Sequence, residues 1–376
     1  MKYSACFVLC SVPTNPLRVP ESVSIVSEGV NATNQLPVLN ADSGGTGTYE
    51  VNSTGKSLFQ NEPDGTSLNL GIPKSIQLDI SLFTDVGVCV KPMHFHYNKT
   101  LELIEFIELN QIFGVTKFTL YKDTVSEQVS CVLKHYEEQG IVEVLPWDLK
   151  IESQTEIRTE GLFAALNDCL YRNMNSFKYL MLIDFDEFIV PHQNDTIPEM
   201  LAHIDRQKVQ VGGRKINPNM TSSYSFQNAF FYLQFSDDPE SANFPPLRVL
   251  RKTKRKSKFN PQKQRSKYIC VPRRVKEAGN HFIWEFSSGH NLNVPTDIGF
   301  LHHYRVCEFG GSDCVNTPHA TDRTVYKYKN LLVRNVDKIV QKLSAECQLD
   351  RLQRELSGGG GETNNAQSTV VRANFG

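Results

Sequence analysis

Between residues 86 and 191, segments of strand composition alternate with segments of helical periodicity, and this alternation limits the fold more than any other feature. The strand-like segments are VGVCVKPMHF (86–95), VTKFTLYKD (115–123), IVEVLPW (141–147) and KYLMLIDFDEFIVP (178–191). The helical segments are TLELIEFIELNQIFG (100–114), SEQVSCVLKHYEEQG (126–140) and EGLFAALNDCLYRNMN (160–175). Strands that alternate with helices predict an α/β domain with a mostly parallel central sheet flanked by helices.

The remainder of the chain divides around this domain. Residues 20–75 are rich in Ser, Gly, Asn, Thr and Pro without sustained apolar periodicity, which predicts a flexible stem. The tail, 357–376, has the same character and is predicted to be disordered. Residues 1–19 contain a short apolar run that resembles a weak signal or a residual anchor, shorter than the roughly 20 residues of a membrane span. We therefore predict one folded domain at 76–356.

The cysteines and the N-glycosylation sequons favour a protein that passes through the lumen of the secretory pathway. The chain has 9 Cys, and Cys307 and Cys314 flank a Gly-Gly turn, so we expect a local disulfide there. Several of the other cysteines lie in apparent core elements, where buried thiols are the alternative. Five N-x-[ST] sequons start at Asn31, Asn52, Asn98, Asn194 and Asn219.

A basic run lies in the second half of the chain, although the formal net charge of the whole chain is -1. Between Arg248 and Lys276 there are thirteen Lys or Arg residues and no Asp or Glu. Such a run predicts a solvated, mobile loop. The functional alternatives are a positive wall beside a phosphate-bearing ligand and a nucleic-acid patch. The run has neither aromatic residues regularly interleaved with the basic ones nor the Cys and His spacing of a zinc site, so a nucleic-acid-binding function has no further support.

Three carboxylates interrupt the fourth strand-like segment in DFDEF. In open α/β sheets the ligand lies beyond the carboxyl ends of the strands, which is where this motif falls. In extended geometry Asp184 and Asp186 share one face, about 7 Å apart, and Glu187 lies on the other. A divalent cation would compensate the repulsion and could bind a diphosphate through its remaining positions. The alternatives are salt-bridged carboxylates at a strand end and a phosphatase nucleophile, which the following Glu187 and Phe188 disfavour.

A pair of histidines forms the second candidate cluster. His302 and His303 follow an apolar run in IGFLHHYRVCE. A late imidazole that completes a carboxylate site would favour manganese over magnesium. Because adjacent residues on a strand point in opposite directions, we expect at most one of them to reach the metal.

Five motifs in a fixed order resemble glycosyltransferase family 92. They are LELIEFIELNQIFGVTKFTLY, ALNDCLYRN, YLMLIDFDEFIVP, SKYICVPRRVKEAGNHF and FLHHYR, which together span roughly residues 86–305. The resemblance implies a GT-A type fold and a manganese-dependent, inverting transfer of a hexose, usually galactose from UDP-galactose, onto a glycan of a glycoprotein or glycolipid. It also implies a Golgi membrane protein, although no membrane span is visible in this sequence.

The resemblance also assigns roles to residues. Asp186 would coordinate Mn²⁺, and Asp184 would contact the ribose or a metal-bound water. His303 is the first candidate for the late metal ligand and His302 the second. Lys267, Arg273 and Arg274 are candidates to neutralise the diphosphate, and His281 to line the site; ordinary surface charge is the alternative for all four.

The catalytic base and the ribose contacts remain open. Glu285 is the favoured candidate for the base, followed by the group Asp237, Asp238 and Glu240 in FSDDPES. Tyr121 and Asp123 lie at the end of the second strand-like segment, where base or ribose contacts are expected.

Two other classes of function compete with an enzyme. The first is a carbohydrate-binding pseudoenzyme of the same fold, which the intact Asp184, Asp186 and His303 disfavour. The second is a basic nucleic-acid binder built on residues 248–276, which the sequons and the apolar strand before DFDEF do not support.

Overall fold

The computed structural model describes residues 22–23, 36–37, 86–149, 157–206, 210–211, 214–215, 220–307 and 314–357. The predicted signal-like segment lies outside these ranges, as do the predicted tail after residue 357 and most of the predicted stem. Within the described residues, no helix combines the length and apolar character needed to cross a membrane.

The described strands run in chain order as β1 Ser22–Val23, β2 Leu36–Pro37, β3 Val86–Cys89, β4 Val115–Lys122, β5 Val142–Pro146, β6 Tyr179–Leu182, β7 Glu187–Pro191, β8 Gln210–Val211, β9 Arg214–Lys215, β10 Thr221–Phe226, β11 Asn228–Tyr232, β12 Lys254–Lys256, β13 Lys267–Cys270, β14 Val275–Ala278, β15 Ile283–Phe286, β16 His290–Asn293, β17 Gly299–Arg305 and β18 His319–Thr321. The described helices are α1 Thr100–Ile112, α2 Glu127–Glu138, α3 Leu162–Asn173, α4 Ile197–Arg206, α5 Arg248–Arg251, α6 Lys329–Leu343 and α7 Asp350–Ser357.

The predicted alternation of strands and helices is confirmed through β6. Helix α2 begins after Ser126, whose side chain accepts a hydrogen bond from the Val129 N–H at 3.3 Å. Gly114 and Gly140 follow α1 and α2 with φ of 92° and 70°, a backbone region that glycine adopts without strain.

A seven-stranded sheet organises the domain in the order β16-β10-β13-β6-β3-β4-β5. Strand β13 is antiparallel to both of its neighbours, and the other adjacent pairs are parallel. The mostly parallel α/β sheet predicted from the sequence is therefore confirmed.

The order of the strands creates a topological switch point between β3 and β6. From β3 the chain proceeds to β4 and β5 on one side, and then returns through α3 to β6 on the other side of β3. Ligands of open α/β sheets bind in the crevice that forms beyond the carboxyl ends of strands at such a point. Here those ends lead into Lys91 and Asp184.

The prediction that residues 178–191 form a single strand is wrong. The chain leaves the large sheet after β6, turns at Asp184 to Asp186, and enters a second sheet as β7. The Glu187 N–H closes the turn by donating to the Asp184 carbonyl oxygen at 3.0 Å. Because this backbone is not extended, the prediction that Glu187 faces away from the two aspartates is also wrong.

The second sheet has three strands in the order β11-β17-β7. Strand β17 is parallel to β11 and antiparallel to β7. Strands β10 and β11 are separated by Gln227 alone, so at this point the chain passes directly from the large sheet into the second one.

Hydrophobic residues cover both faces of the large sheet. Along β6, Tyr179 and Met181 join the cluster that packs against α1 and α2, while Leu180 and Leu182 join the cluster that includes α3. This alternation follows from the two-residue period of a strand. Disulfides tie both layers: Cys89–Cys169 joins β3 to α3, and Cys131–Cys347 joins α2 to the segment between α6 and α7.

The predicted disulfide between Cys307 and Cys314 is confirmed, and among the described cysteines Cys270 alone is unpaired. The two long-range disulfides concern cysteines for which the sequence left buried thiols as the alternative.

The basic run is not a solvated loop, so that prediction is wrong. Residues 248–276 include α5, β12, β13, a 3-10 turn at Pro272–Arg274 and the first two residues of β14. The Lys267 side chain is buried, the Arg248 side chain is 9% exposed, and each pairs with carboxylates. The carboxylates that pair with these two side chains lie outside the basic run, in distant parts of the sequence.

Candidate active site

A cleft of about 620 Å³ opens beyond the carboxyl ends of β3 and β6, beside the turn that joins the two sheets. Its lining includes five basic or acidic side chains that the fold brings together from the segment after β3, the β6–β7 turn, the start of β7 and β17, with one buried lysine behind them. The members of this cleft cluster are Lys91, Asp184, Asp186, Glu187, His303 and the buried Lys267.

Two lysines hold Asp184. Its Oδ2 lies 3.5 Å from Lys91 Nζ and 3.4 Å from Lys267 Nζ. Lys267 is 2% exposed and also pairs with Glu187 Oε2 at 3.2 Å. Since a buried charge needs partners, Lys267 serves as the internal counter-ion of two carboxylates.

Asp186 pairs with an imidazole instead of a lysine. Its Oδ2 lies 3.4 Å from His303 Nε2, at the wall of the cleft. The other ring nitrogen, Nδ1, lies 3.3 Å from Glu187 Oε1 and 3.0 Å from Asn228 Nδ2. Glu187, which is 1% exposed, therefore orients the histidine from behind.

This geometry allows two tautomers of neutral His303. With the proton on Nε2, the ring donates to Asp186 and accepts from Asn228 at Nδ1. With the proton on Nδ1, the ring donates to Glu187, and the Nε2 lone pair faces Asp186. The second form is the one that a metal ion requires, and carboxylates commonly orient metal-bound histidines in this way.

Burial and charge set the protonation of the cluster. Burial opposes ionisation of Asp184, but Lys267 and Lys91 outweigh it and hold the pKa of that carboxyl below its usual value. Burial likewise opposes ionisation of Asp186, and its hydrogen bond and attraction to His303, with Lys91 and Arg248, keep its pKa well below the usual range. For Glu187 burial prevails over the attraction of Lys267, so its pKa is raised.

The turn that carries the aspartates is fixed by its neighbours. Arg248 Nη2 donates to the Phe185 carbonyl oxygen at 3.0 Å, and the Tyr304 N–H donates to the Asp186 carbonyl oxygen at 2.8 Å. The Phe185 ring packs edge-on against Phe106 of α1, with ring centroids 5.1 Å apart. The aspartates are therefore presented by a backbone anchored from three directions.

Asp186 and His303 could hold a divalent metal together. Their facing atoms are 3.4 Å apart, close to the roughly 3 Å that separates neighbouring ligands of a small divalent cation. A carboxylate oxygen with one imidazole nitrogen suits manganese, and the cleft leaves space for further ligands from water or substrate. Asp184 is already engaged by two lysines, so it fits a supporting role better than that of a direct ligand.

His302 does not join this cluster. Its ring lies on the opposite face of β17, stacked against Phe231 with centroids 4.4 Å apart and fully buried. Burial lowers its pKa to about 3. Of the two histidines, His303 lines the cleft and His302 does not, because adjacent residues on a strand point in opposite directions.

Tyr121 and Asp123 occupy different positions relative to the cleft. Tyr121 is buried, donates to Asp168 Oδ2 at 2.6 Å, and lies outside the cleft wall. Asp123 stands behind His94, which lines the cleft, with its Oδ2 3.7 Å from His94 Nδ1. Asp123 thus reaches the cleft through His94.

The sequence candidates for the base lie elsewhere. Glu285 is exposed on the β14–β15 hairpin and pairs with Lys276 at 2.6 Å, outside the cleft wall. Asp238 is buried and bound by Arg323 at 2.7 Å, and Arg323 also pairs with Glu240. Asp237 pairs with Lys252 at 2.6 Å. These four carboxylates stabilise local structure.

Of the other basic candidates, His281 alone lines the cleft directly. Burial, reinforced by Lys267, lowers its pKa to about 4, so the ring is neutral. Arg273 and Arg274 lie in the turn before β14, where Arg274 donates to the Thr221 carbonyl oxygen at 2.9 Å. Lys267 touches the carboxylates from behind instead of facing a ligand directly.

Several cleft residues were missed from the sequence. Lys91 carries a signal that was available, because it directly follows an apolar strand whose end belongs at the ligand edge. Glu160 and Phe95 line the cleft from loops, and both have positive φ, 52° and 56°. Such backbone strain is invisible in a residue pattern and is typical of functional sites.

The model of glycosyltransferase family 92 matches residues 84–351 of the chain. The chain belongs to this family. The cleft, with its acidic turn and late histidine, thus lies in a family 92 domain built on the mostly parallel α/β sheet described above.

Curated relatives are similar over parts of their length. The β-1,4-galactosyltransferase galt-1 of Caenorhabditis elegans is 29% identical over 108 residues, which cover 28% of this chain and 25% of that protein. The family 92 protein F13G3.3 of the same organism is 21% identical over 234 residues, covering 59% of this chain and 42% of that protein. The chain thus spans less than half the length of these relatives.

Among solved structures, S. aureus TarS 1–349 aligns with 73% of this chain and 70% of its own, at 13% identity and a TM-score of 0.31. The complex of TarS 1–349 with UDP aligns over the same shares at 10% identity and a TM-score of 0.32.

Proposed function

We propose that this chain is a metal-dependent glycosyltransferase that transfers a hexose from a nucleotide sugar to a glycan with inversion. The first candidate for the donor is UDP-galactose, since a relative named as a β-1,4-galactosyltransferase shares part of the sequence. The observation that carries the proposal is the Asp186–His303 pair in a cleft at the switch point of a family 92 domain.

Asp186 and His303 would hold the metal ion, for which Mn²⁺ is the first candidate. When bound, such an ion acts as a Lewis acid that stabilises the negative charge of a departing diphosphate. Glu187 would hold His303 in the tautomer with Nε2 available, and Lys267 pairs with both Asp184 and Glu187 in the protein interior. Lys91, half-exposed at the cleft, faces the region where diphosphate charge develops.

The nucleoside would bind on the β3–β4 side of the cleft. Tyr97 and His94 line this side, and Asp123 orients His94. Rings and carboxylates at the ends of these strands suit a base and a ribose.

The acceptor would enter from the loops at the cleft mouth. Phe95, which is 78% exposed, offers an apolar face to a sugar ring. Glu160 and Glu102 are the cleft carboxylates outside the cluster, and Glu102 is engaged by Arg248 at 2.9 Å. Glu160 lines the cleft from the turn before α3 and lies close enough to interact electrostatically with His94, so it is our proposal for the base that removes the proton of the acceptor hydroxyl.

Three disulfides among the described residues support synthesis in an oxidising compartment. Together with the sequons they suit a protein of the secretory pathway, and the Golgi is the compartment that the family resemblance implies.

The test measures UDP release from a panel of UDP-sugars, with Mn²⁺ and after chelation. We expect one donor to be used with Mn²⁺, and Asp186→Asn to lower its turnover at least about 100-fold, because the metal contributes several kcal/mol to the transition state. Glu160→Gln should lower turnover while Mn²⁺-dependent UDP binding, followed by calorimetry, stays intact.

Glu285→Gln is the matched control, since it removes a carboxylate outside the cleft and should retain turnover. Loss of activity in this control would place the base on the β14–β15 hairpin instead. Mn²⁺-dependent UDP binding without turnover of any donor, with glycan acceptors present, would favour the carbohydrate-binding alternative. Failure to bind UDP at all would contradict the proposal.

A further inference from the structure

A second group of metal-ligand side chains lies on the face of β17 opposite the cleft. His302 projects from β17, His192 follows β7, and Asp322 directly follows β18. One ligand atom of each lies within 4.8 Å of the ligand atoms of the other two. We call these three residues the rear cluster.

Both histidines have an unsatisfied ring nitrogen. Nε2 of His302 and Nε2 of His192 are buried, and neither has a hydrogen-bond partner. The whole His302 side chain is 0% exposed. A buried polar atom without a partner costs about 1–3 kcal/mol, so its persistence calls for a ligand.

The opposite ring nitrogens are both engaged. His302 Nδ1 lies 3.3 Å from the Tyr304 hydroxyl, and His192 Nδ1 lies 3.4 Å from Thr324 Oγ1. When Nδ1 carries the proton and donates to a hydroxyl, Nε2 retains its lone pair. Such a contact to the remote nitrogen is the usual support of a metal-bound histidine.

Aromatic neighbours hold the His302 ring in place. It stacks on Phe231 at 4.4 Å and on Phe300 at 4.7 Å between centroids. His192 packs against the same Phe300 at 4.5 Å. The two imidazoles therefore have little rotational freedom, which lowers the entropy lost when a ligand binds.

Asp322 supplies the negative charge. Its Oδ1 accepts from the Thr324 N–H at 3.0 Å, and its Oδ2 lies 3.3 Å from Arg255 Nε. Arg255 also donates to the Lys256 carbonyl oxygen and lies over the Phe259 ring, so its position does not depend on Asp322. Each carboxylate oxygen keeps a lone pair for a further contact.

We propose that the rear cluster binds one Zn²⁺ ion through Nε2 of His192, Nε2 of His302 and the Asp322 carboxylate. Two imidazoles and one carboxylate are a donor set that zinc accepts in tetrahedral geometry, with water in the fourth position. Ligand bonds of about 2.1 Å place neighbouring ligands roughly 3.4 Å apart, so binding requires the ligand atoms, which lie within 4.8 Å of one another, to approach by up to about 1.4 Å. The ion would tie β7 and β17 to the segment that enters α6, and this role is independent of the proposed transfer reaction.

The test is a zinc titration of the full chain after removal of metals with EDTA. Asp186→Asn serves as the background, because it disables the cleft pair and leaves the rear cluster intact. We expect this variant to bind one zinc per chain, measured by elemental mass spectrometry. His192→Gln and Asp322→Asn in the same background should weaken zinc binding at least about 100-fold.

His290→Gln is the matched control, since His290 Nε2 is also buried without a partner but lies on β16, outside the cluster. This control should retain zinc. No bound zinc in the background variant, or equal affinity in all variants, would overturn the proposal and leave the cluster as a water site.

If the cluster variants fail to fold, X-ray absorption of the zinc-loaded Asp186→Asn protein decides the matter. A first shell with two imidazole nitrogens supports the rear cluster, whereas a shell with one imidazole or none refutes it.

Discussion

The cleft cluster and the rear cluster lie on opposite faces of the same three-stranded sheet. Their buried polar groups differ in the partners that they contact. In the cleft, Lys91 and Lys267 neutralise carboxylates directly. At the rear, two imidazoles are enclosed by aromatic rings and keep an unpartnered nitrogen. His302 and His303 are adjacent in β17 but belong to two separate sites, because successive side chains of a strand point to opposite faces of the sheet.

The largest expected effect is the loss of stability when an ion pair of the cleft cluster is removed. Lys267→Met leaves Asp184 and Glu187 buried without their shared counter-ion, which we expect to reduce the free energy of unfolding by about 3–5 kcal/mol. Lys91→Met should cost about 0–1 kcal/mol, because Lys91 is half-exposed. Urea unfolding of both variants measures this difference, and equal losses would show that the internal lysine is not essential.

The second prediction concerns pH and the support beneath the cleft turn. Glu105 is 1% exposed, and burial raises its pKa to about 7 despite the attraction of Arg248. Between about pH 4.5 and 7 the folded state therefore holds a proton that the unfolded state has released, so this group makes stability fall as pH rises. The fall amounts to about 3 kcal/mol for a shift of this size.

Glu105→Gln should remove this decline while its side-chain oxygen still accepts from the Val249 N–H. Chemical unfolding at pH 5 and pH 7 provides the measurement. A variant whose stability still falls as steeply as that of the wild type would assign the decline to other groups.

The smallest expected effect is at the mouth of the cleft. Phe95→Ala removes an exposed aromatic face, and we expect the KM for the glycan acceptor to rise by about 5- to 10-fold, equivalent to about 1 kcal/mol. The KM for the nucleotide sugar should stay the same. A matched change in both constants would show that Phe95 supports the donor side of the cleft instead.

The sequence predicted the first half of the fold well because that half is built from local patterns. Strand composition, helical periodicity and caps such as Ser126 are all encoded within a few residues. The break between β6 and β7 was missed because DFDEF is apolar on both sides, and β7 forms through its pairing with the distant β17. The pairing of Cys131 with Cys347 was missed for the same reason.

The candidate site was predicted in part. Asp184, Asp186 and His303 are brought together, since motif and strand-end position both point to the cleft. Glu285 was misplaced because nothing in its neighbourhood indicates that the hairpin turns away from the cleft. The burial of Lys267 was not predicted, because a basic run suggests solvent exposure, whereas its burial depends on carboxylates far away in the sequence.

The two long-range disulfides have a consequence for protease digestion. Their spans interlock, since Cys131 lies between Cys89 and Cys169, and Cys169 lies between Cys131 and Cys347. A single peptide-bond cut at any point between Cys89 and Cys347 therefore leaves the two fragments covalently joined. On a denaturing gel, a nicked chain should migrate as one band until a reductant separates its pieces.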